Sequence, residues 1–308
     1  MLKKLAIATV LVGAAVALMT PAQASGRMIK VYGADLASAD RVAVIVPGAD
    51  TTAATFEDSA RRPGGAARAL LAQAAGLSPG TRLAVVAWLG YDAPPTWSLG
   101  ALTDSAAVEG ARELRRTVLD LHRHTAAPIA LLCHSYGSVL CAAAAPGLPV
   151  SDLAVFGSPG LGGARTATDL AGSPAEWSSS GDREPVTTVS RTALTASAGT
   201  PAPASTPRGA VAPGDHVRAA SGEAVQGSTL RVWAARGRND WIRFVPHTRI
   251  GPVGFGTDPM SRGFGARHFD AGAGGHSDYF TPGTPSLRNL TWIALGHPAR
   301  VTAAPTTP

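Results

Sequence analysis

The sequence predicts an α/β fold with a mostly parallel central sheet flanked by helices. Three observations predict it. Strand-length apolar runs alternate with helical patterns along the chain. The runs are apolar at consecutive positions, as strands covered on both faces are. One run ends in a tight, small-residue turn that opens directly into a helix. The composition permits a large core: 308 residues, 45% hydrophobic and 16% charged. Whole-chain disorder is excluded by that balance.

The elements follow in order. Lys3-Lys4, the apolar run Leu5–Met19 and Ala22-Gln23-Ala24 form a secretory-signal pattern over residues 1–24, with cleavage predicted before Ser25. The apolar run is shorter than the roughly 20 residues a membrane-spanning helix needs, and no later run is longer, so no stable membrane span is expected. Strands are predicted at Met28–Tyr32, Val42–Val46, Leu83–Trp88, Ile129–Cys133, Leu153–Phe156, Leu230–Ala234 and Ala266–Phe269 from their apolar and β-branched content. Helices are predicted over Gly65–Ala75, Asp104–His122, Ser138–Ala145 and Leu287–Leu295. In the second of these, Val108, Ala111, Leu114, Val118 and Leu121 recur at spacings of three and four, which places them on one buried face. Thr103 or Asp104 is the expected N-cap. Residues 172–228 are rich in Ser, Ala, Thr, Pro and Gly and bury too little apolar surface to offset the entropy of ordering. They read as a disordered insertion between late strands. Residues 25–301 then form one domain, and 302–308 a frayed tail.

Net charge is +6, and of 27 basic residues only Lys3, Lys4 and Lys30 are lysines, leaving 27 − 3 = 24 arginines scattered singly or in short pairs. A basic stripe interleaved with aromatics is absent, so no nucleic-acid partner is expected.

The segment Ile129-Ala130-Leu131-Leu132-Cys133-His134-Ser135-Tyr136-Gly137-Ser138-Val139 carries the chemistry. An apolar strand runs into small–x–Ser–x–Gly and a small-residue helix follows, the context of a nucleophile elbow. Small residues two positions either side of the serine let strand and helix pass closely. Ser135 is therefore the candidate nucleophile. His134 is its neighbour, but adjacent residues on such a turn point apart, so His134 is read as a wall of the site rather than its base. Val46-Pro47-Gly48-Ala49 ends an early strand in a tight turn, which makes the Ala49 amide a candidate oxyanion donor beside that of Tyr136. Asp240 follows the strand Leu230–Ala234 and is the candidate acid, with Asp258 as the alternative. His276, on the glycine-rich loop after the strand Ala266–Phe269, is the candidate base and completes the order Ser, Asp, His. His268 and His247 are read as packing or surface residues, and His122 and His124 lie on different helix faces. No metal-ligand spacing, phosphate loop or dinucleotide fingerprint occurs, so neither metal nor cofactor is expected.

Cys133 and Cys141 are the two cysteines. In an exported protein a pair suggests a disulfide, here stapling strand to helix beneath the nucleophile; two buried thiols are the alternative. Trp88, Tyr91 and Trp97 are either pocket wall or core.

Together, Val46-Pro47-Gly48, Ala87–Pro94, Cys133–Ser138, Gly157-Ser158-Pro159-Gly160 and Gly275-His276-Ser277-Asp278-Tyr279 resemble the actinobacterial α/β-hydrolase family of uncharacterised function. The resemblance covers most of residues 30–171 and 229–297, and the 172–228 insertion departs from it. It implies an α/β-hydrolase fold with Ser135 as nucleophile and His276 as base, and supports Asp240. The expectation is a secreted serine hydrolase acting on a small-molecule or lipid ester through an acyl-enzyme. Acyl transfer or peptide cleavage by the same triad, or a catalytically silent binding protein of the cell envelope, are the alternatives. Oligomeric state is not legible in the sequence.

Overall fold

The computed structural model describes residues 26–96, 98, 103–172, 230–251 and 253–305. The predicted leader, all of the predicted insertion except Gly172, Trp97 and residues 306–308 lie outside the described residues.

Seven strands form one sheet among the described residues: β1 (Met28–Gly33), β2 (Arg41–Val46), β3 (Leu83–Leu89), β4 (Ile129–His134), β5 (Asp152–Phe156), β6 (Arg231–Ala235) and, after the hairpin β7 (Arg249–Ile250) and β8 (Val253–Gly254), β9 (Arg267–His268). The spatial order is β1-β3-β2-β4-β5-β6-β9, with β1 antiparallel to β3 and every other pair parallel. Every residue of β3 and β5 is buried, whereas the edge strand β1 leaves all of its residues partly or fully exposed. Consecutive apolar residues thus mark the interior strands because helices cover both faces.

The helices are α1 (Pro63–Leu77), α2 (Ser105–His124), α3 (Tyr136–Ala144), α4 (Ala167–Ala171) and α5 (Pro285–Ala294). α1 packs with α5, and α2 with α3. The chain leaves β2 for β3 on one side and returns to β4 on the other, so right-handed crossovers put α1 on one face and α2 with α3 on the opposite face. The point where the strand order reverses therefore lies between β2 and β4, and the crevice beyond their carboxyl ends is where open α/β sheets hold ligands. The register brings these ends level: Val46 is opposite Cys133, His134 opposite Phe156, and Phe156 opposite Ala235.

Several local expectations are corrected. α1 starts two residues earlier than its apolar pattern suggests, because Pro63 is preset for the first helical turn. Asp104 flanks α2 but makes no side-chain cap; its carboxylate accepts a hydrogen bond from Arg249 at 2.6 Å. Val108 is 43% exposed, and Ala107 and Gly110 occupy the buried face beside Ala111 and Leu114 instead. Thr302–Ala304 are not frayed. The Asn289 side chain accepts from the Thr302 amide at 2.9 Å, Asp270 N–H donates to the Thr302 carbonyl at 3.0 Å, and Ala304 N–H donates to the His268 carbonyl at 3.1 Å.

Candidate active site

Ser135 occupies the single residue between β4 and α3, with φ 52° and ψ −128°. A left-handed φ at a residue with a side chain costs on the order of 1–3 kcal/mol and persists only where its surroundings hold it. They do here. Ser135 N–H donates to the Phe156 carbonyl at 3.0 Å. The Ser138 hydroxyl donates to the Ser135 carbonyl at 2.6 Å and lies 2.7 Å from the Ser158 hydroxyl. A methyl group on Gly137 would sit 2.4 Å from the Pro47 carbonyl oxygen, so only glycine lets α3 start this close to the end of β2. Beneath the turn, Cys133 and Cys141 are joined in a disulfide, the alternative the sequence had left open.

His276 lies on the loop after β9, and its Nε2 is 2.8 Å from Ser135 Oγ. Its Nδ1 is 2.9 Å from Asp240 Oδ1. Asp240 is fully buried just past β6. Burial alone would raise its pKa. Hydrogen bonds from His276 and Tyr279 and from the Ile242 amide, with the attraction of the imidazole, overcome that and hold it below the usual carboxylate range. An ionised Asp240 fixes the proton of His276 on Nδ1 and leaves the Nε2 lone pair toward the serine hydroxyl. The Trp241 ring lies against the imidazole at a centroid distance of 4.6 Å.

Asp258 is not part of this arrangement. It accepts from Arg236 at 2.6 Å and from the Met260 amide at 2.9 Å, and lies 3.4 Å from His247. Its place is a structural ion pair. His268 Nε2 meets the Pro259 carbonyl at 3.2 Å.

His134 borders the site as read from the sequence. Its Nε2 lies 2.6 Å from the His276 carbonyl, and its ring is stacked on Phe156 at 5.6 Å. Burial, and then the nearby His276 charge, push its pKa down to about 3, so at neutral pH it is a neutral donor to that carbonyl and not a base. Trp88 and Tyr91 belong to the core: Trp88 donates to Thr117 at 3.0 Å and Tyr91 to the Pro47 carbonyl at 2.9 Å.

Ser135 and His276 line a cavity of about 430 Å³ together with Gly48, Ala49, Arg61 and Arg62. A methyl on Gly48 would lie 2.6 Å from Ser135 Cβ, a measure of how closely the β2 loop approaches Ser135. The loop is held by Asp50, at φ 58°, whose carboxylate accepts from the Thr96 amide at 3.0 Å and from the Thr96 hydroxyl. Tyr136 opens α3, so its amide belongs to the unpaired first turn of a helix and to its positive end. Among the described residues, no group of three or more His, Cys, Asp or Glu side chains is placed to hold a metal ion. No helix there is long and apolar enough to cross a membrane.

The family model described as Alpha/beta hydrolase matches residues 21–196. The chain belongs to the alpha/beta hydrolase family. This alpha/beta hydrolase is 28% identical over 250 residues to an uncharacterised protein of Mycobacterium tuberculosis, a match covering 74% of this chain and 31% of the relative. It is 33% identical over 139 residues to a second uncharacterised protein of that organism, covering 41% of this chain and 50% of the relative. The alpha/beta hydrolase chain thus spans roughly a third to a half of these relatives' length. Among solved structures it is similar to esterase PE8, at 14% identity and TM-score 0.42 over 88% of this chain and 98% of that one. A serine hydrolase homologue from Coxiella burnetii matches at 10% identity and TM-score 0.36, over 88% and 90% respectively.

The sequence did not single out Tyr279 for a role. Its hydroxyl donates to Asp240 Oδ2 and accepts from the Gly237 amide at 3.1 Å. The signal available was its position three residues after His276, but nothing local shows that a phenol there turns toward a carboxylate 39 residues earlier.

Proposed function

We propose that this alpha/beta hydrolase is a secreted serine hydrolase that cleaves a carboxylic ester through an acyl-enzyme. The observation that carries this reading is one continuous line of contacts: Ser135 Oγ to His276 Nε2 at 2.8 Å, and His276 Nδ1 to Asp240 at 2.9 Å. Ser135 Oγ attacks the ester carbonyl carbon as His276 Nε2 takes its proton. The amides of Ala49 and Tyr136 receive the developing oxyanion. The carbonyl–alkoxy bond then breaks, and His276 returns the proton to the departing alcohol. Water, deprotonated by the same imidazole, releases the acid and restores Ser135. Asp240 keeps the tautomer and stabilises the imidazolium. No metal or cofactor is called for in any step.

Export is supported by the leader pattern of residues 1–24, and by the disulfide, which persists in oxidising compartments. The reading takes residues 25–301 as one catalytic domain.

The test is covalent labelling with a fluorophosphonate probe, followed by turnover of a panel of p-nitrophenyl esters and peptides. The wild type should label and the Ser135→Ala protein should not. Ester turnover in that variant should drop by at least about 10³-fold, as for loss of other serine nucleophiles. A folded wild type that fails to label at Ser135 leaves a binding protein as the reading. Preference for peptides over esters reassigns the bond cleaved.

A further inference from the structure

Asp240 holds three donors at once. Oδ1 accepts from His276 Nδ1 and from the Ile242 amide, each at 2.9 Å, and Oδ2 accepts from the Tyr279 hydroxyl. Tyr279 is itself held. Its ring packs against Phe156 at a centroid distance of 5.1 Å and against His134 at 5.6 Å, and its hydroxyl oxygen accepts the Gly237 amide at 3.1 Å. That amide donation leaves the phenolic proton only the carboxylate to point at. His276 and Tyr279 also share one loop, braced by Asp278 N–H to the Gly275 carbonyl at 3.1 Å and by Gly275 N–H to the Asp278 side chain at 3.0 Å. The His134 ring closes the far side by bonding the His276 carbonyl at 2.6 Å.

We propose that Tyr279 is a positioning residue that sets both the orientation and the proton affinity of Asp240, and through it the basicity of His276. A donor on Oδ2 draws charge away from Oδ1. The carboxylate then attracts the imidazolium less than an unpaired carboxylate would. The phenol keeps its proton, because burial and then the adjacent Asp240 charge raise its pKa well above the ordinary tyrosine value. Tyr279 is therefore a fixed donor at every pH at which the site works, and does not relay the proton.

The other charged groups near the imidazole and Asp240 do not duplicate this. Arg243 Nε donates to the Asp240 main-chain carbonyl at 3.1 Å and not to its carboxylate. His134 is neutral. Arg61 is paired with Asp278 at 2.9 Å, and Arg236 with Asp258 at 2.6 Å. Arg62, which lines the same cavity, donates to the Asp50 carbonyl at 2.7 Å. Asp50 is bonded to Thr96, and Asp58, on the cavity rim, is exposed.

The inference rests on the hydrolase reading for its consequence in rate, but its direct test does not. Imidazole titration of His276 is followed by NMR in the full chain, with the signal assigned by its loss in His276→Gln. In Tyr279→Phe the midpoint should move up by about half a pH unit or more, because Asp240 regains charge on Oδ1. With 3-fluorotyrosine at position 279, a stronger donor of nearly the same shape, the midpoint should move down. This second protein also serves if the phenylalanine variant does not fold. With an ester substrate, Tyr279→Phe should lower kcat about 10-fold with KM within about 2-fold, the size of loss seen when partners that orient metal ligands are removed, and the acid limb of the rate profile should follow the NMR midpoint. A midpoint that stays put in both proteins, or moves the opposite way, overturns the proposal even if the rate falls. Midpoint shifts of the stated signs in a protein that does not label with fluorophosphonate overturn the hydrolase reading and leave this one standing.

Discussion

Two buried carboxylates sit at opposite ends of the sheet, and their partners differ in kind. Asp152 starts β5 at the lower end. Arg231 donates to both of its oxygens at 2.7 Å, Trp233 Nε1 donates at 3.0 Å, the Ser151 hydroxyl at 2.9 Å, and Arg41 lies at 3.5 Å. Asp240 lies past the upper end of β6 and meets a phenol, a backbone amide and an imidazole. The lower carboxylate is neutralised by guanidinium groups that stay charged at any working pH. Its negative charge is committed to joining β2, β5 and β6. The upper one meets an imidazole whose other nitrogen lies 2.8 Å from the Ser135 hydroxyl, so the same charge is left to orient a ring that can carry a proton. On the proposed hydrolase reading, a carboxylate thus serves cohesion at one end and reactivity at the other, according to whether its partner is a guanidinium or an imidazole.

That contrast breaks most decisively at Asp240. In Asp240→Asn the imidazole loses its preferred tautomer, and ester turnover should fall about 10⁴-fold as for other triads, with circular dichroism and melting temperature little changed. Asp258→Asn should retain turnover within about 2-fold; a large loss there with activity kept in Asp240→Asn would reverse the assignment of the acid. The complementary change, Asp152→Ala, strands Arg231 and Arg41 without their carboxylate. It should lower the urea-unfolding free energy by about 3–5 kcal/mol while turnover per folded molecule stays near wild type. A catalytic loss in that variant without a stability loss would erase the distinction between the two ends.

Reduction of Cys133–Cys141, eight residues apart, should lower stability by about 2–3 kcal/mol, read as a shift in the urea midpoint between reduced and oxidised protein. The smallest effect comes from His134. Its folded pKa is near 3, below the value of about 6.5 expected in an unfolded chain. The unfolded chain therefore binds the extra proton first, and stability falls as pH drops from about 6.5 toward 3. Between pH 6.5 and 5, above the carboxylate range, His134→Gln should flatten that fall. An unchanged slope would mean that another histidine carries it.

Legibility in the sequence followed locality. The elbow at Ser135 was readable because strand, turn and helix are contiguous, and because Gly137 must be small whatever else surrounds it. The order of strand ends brought Asp240 and His276 to the same edge of the sheet. The choice of Asp240 over Asp258 was a matter of which aspartate Arg236 captures, and no periodicity encodes that. Val108 failed for a similar reason: a spacing of three and four identifies a face but not its centre, and Ala107 holds the place. Trp88 and Tyr91 could be wall or core until the structure put their polar atoms on Thr117 and the Pro47 carbonyl. Thr302–Ala304 looked frayed because the partner that orders them, Asn289, lies on another element. Tyr279 was invisible for the same cause at longer range.

The bond between Cys133 and Cys141 encloses Ser135 in a covalent ring with one side in a strand and the other in a helix. Any fluctuation that relaxes the serine backbone must drag both flanking elements together. If Ser135 is the nucleophile proposed above, its hydroxyl is thereby aimed before a substrate arrives, and little of the binding energy is consumed in aligning it.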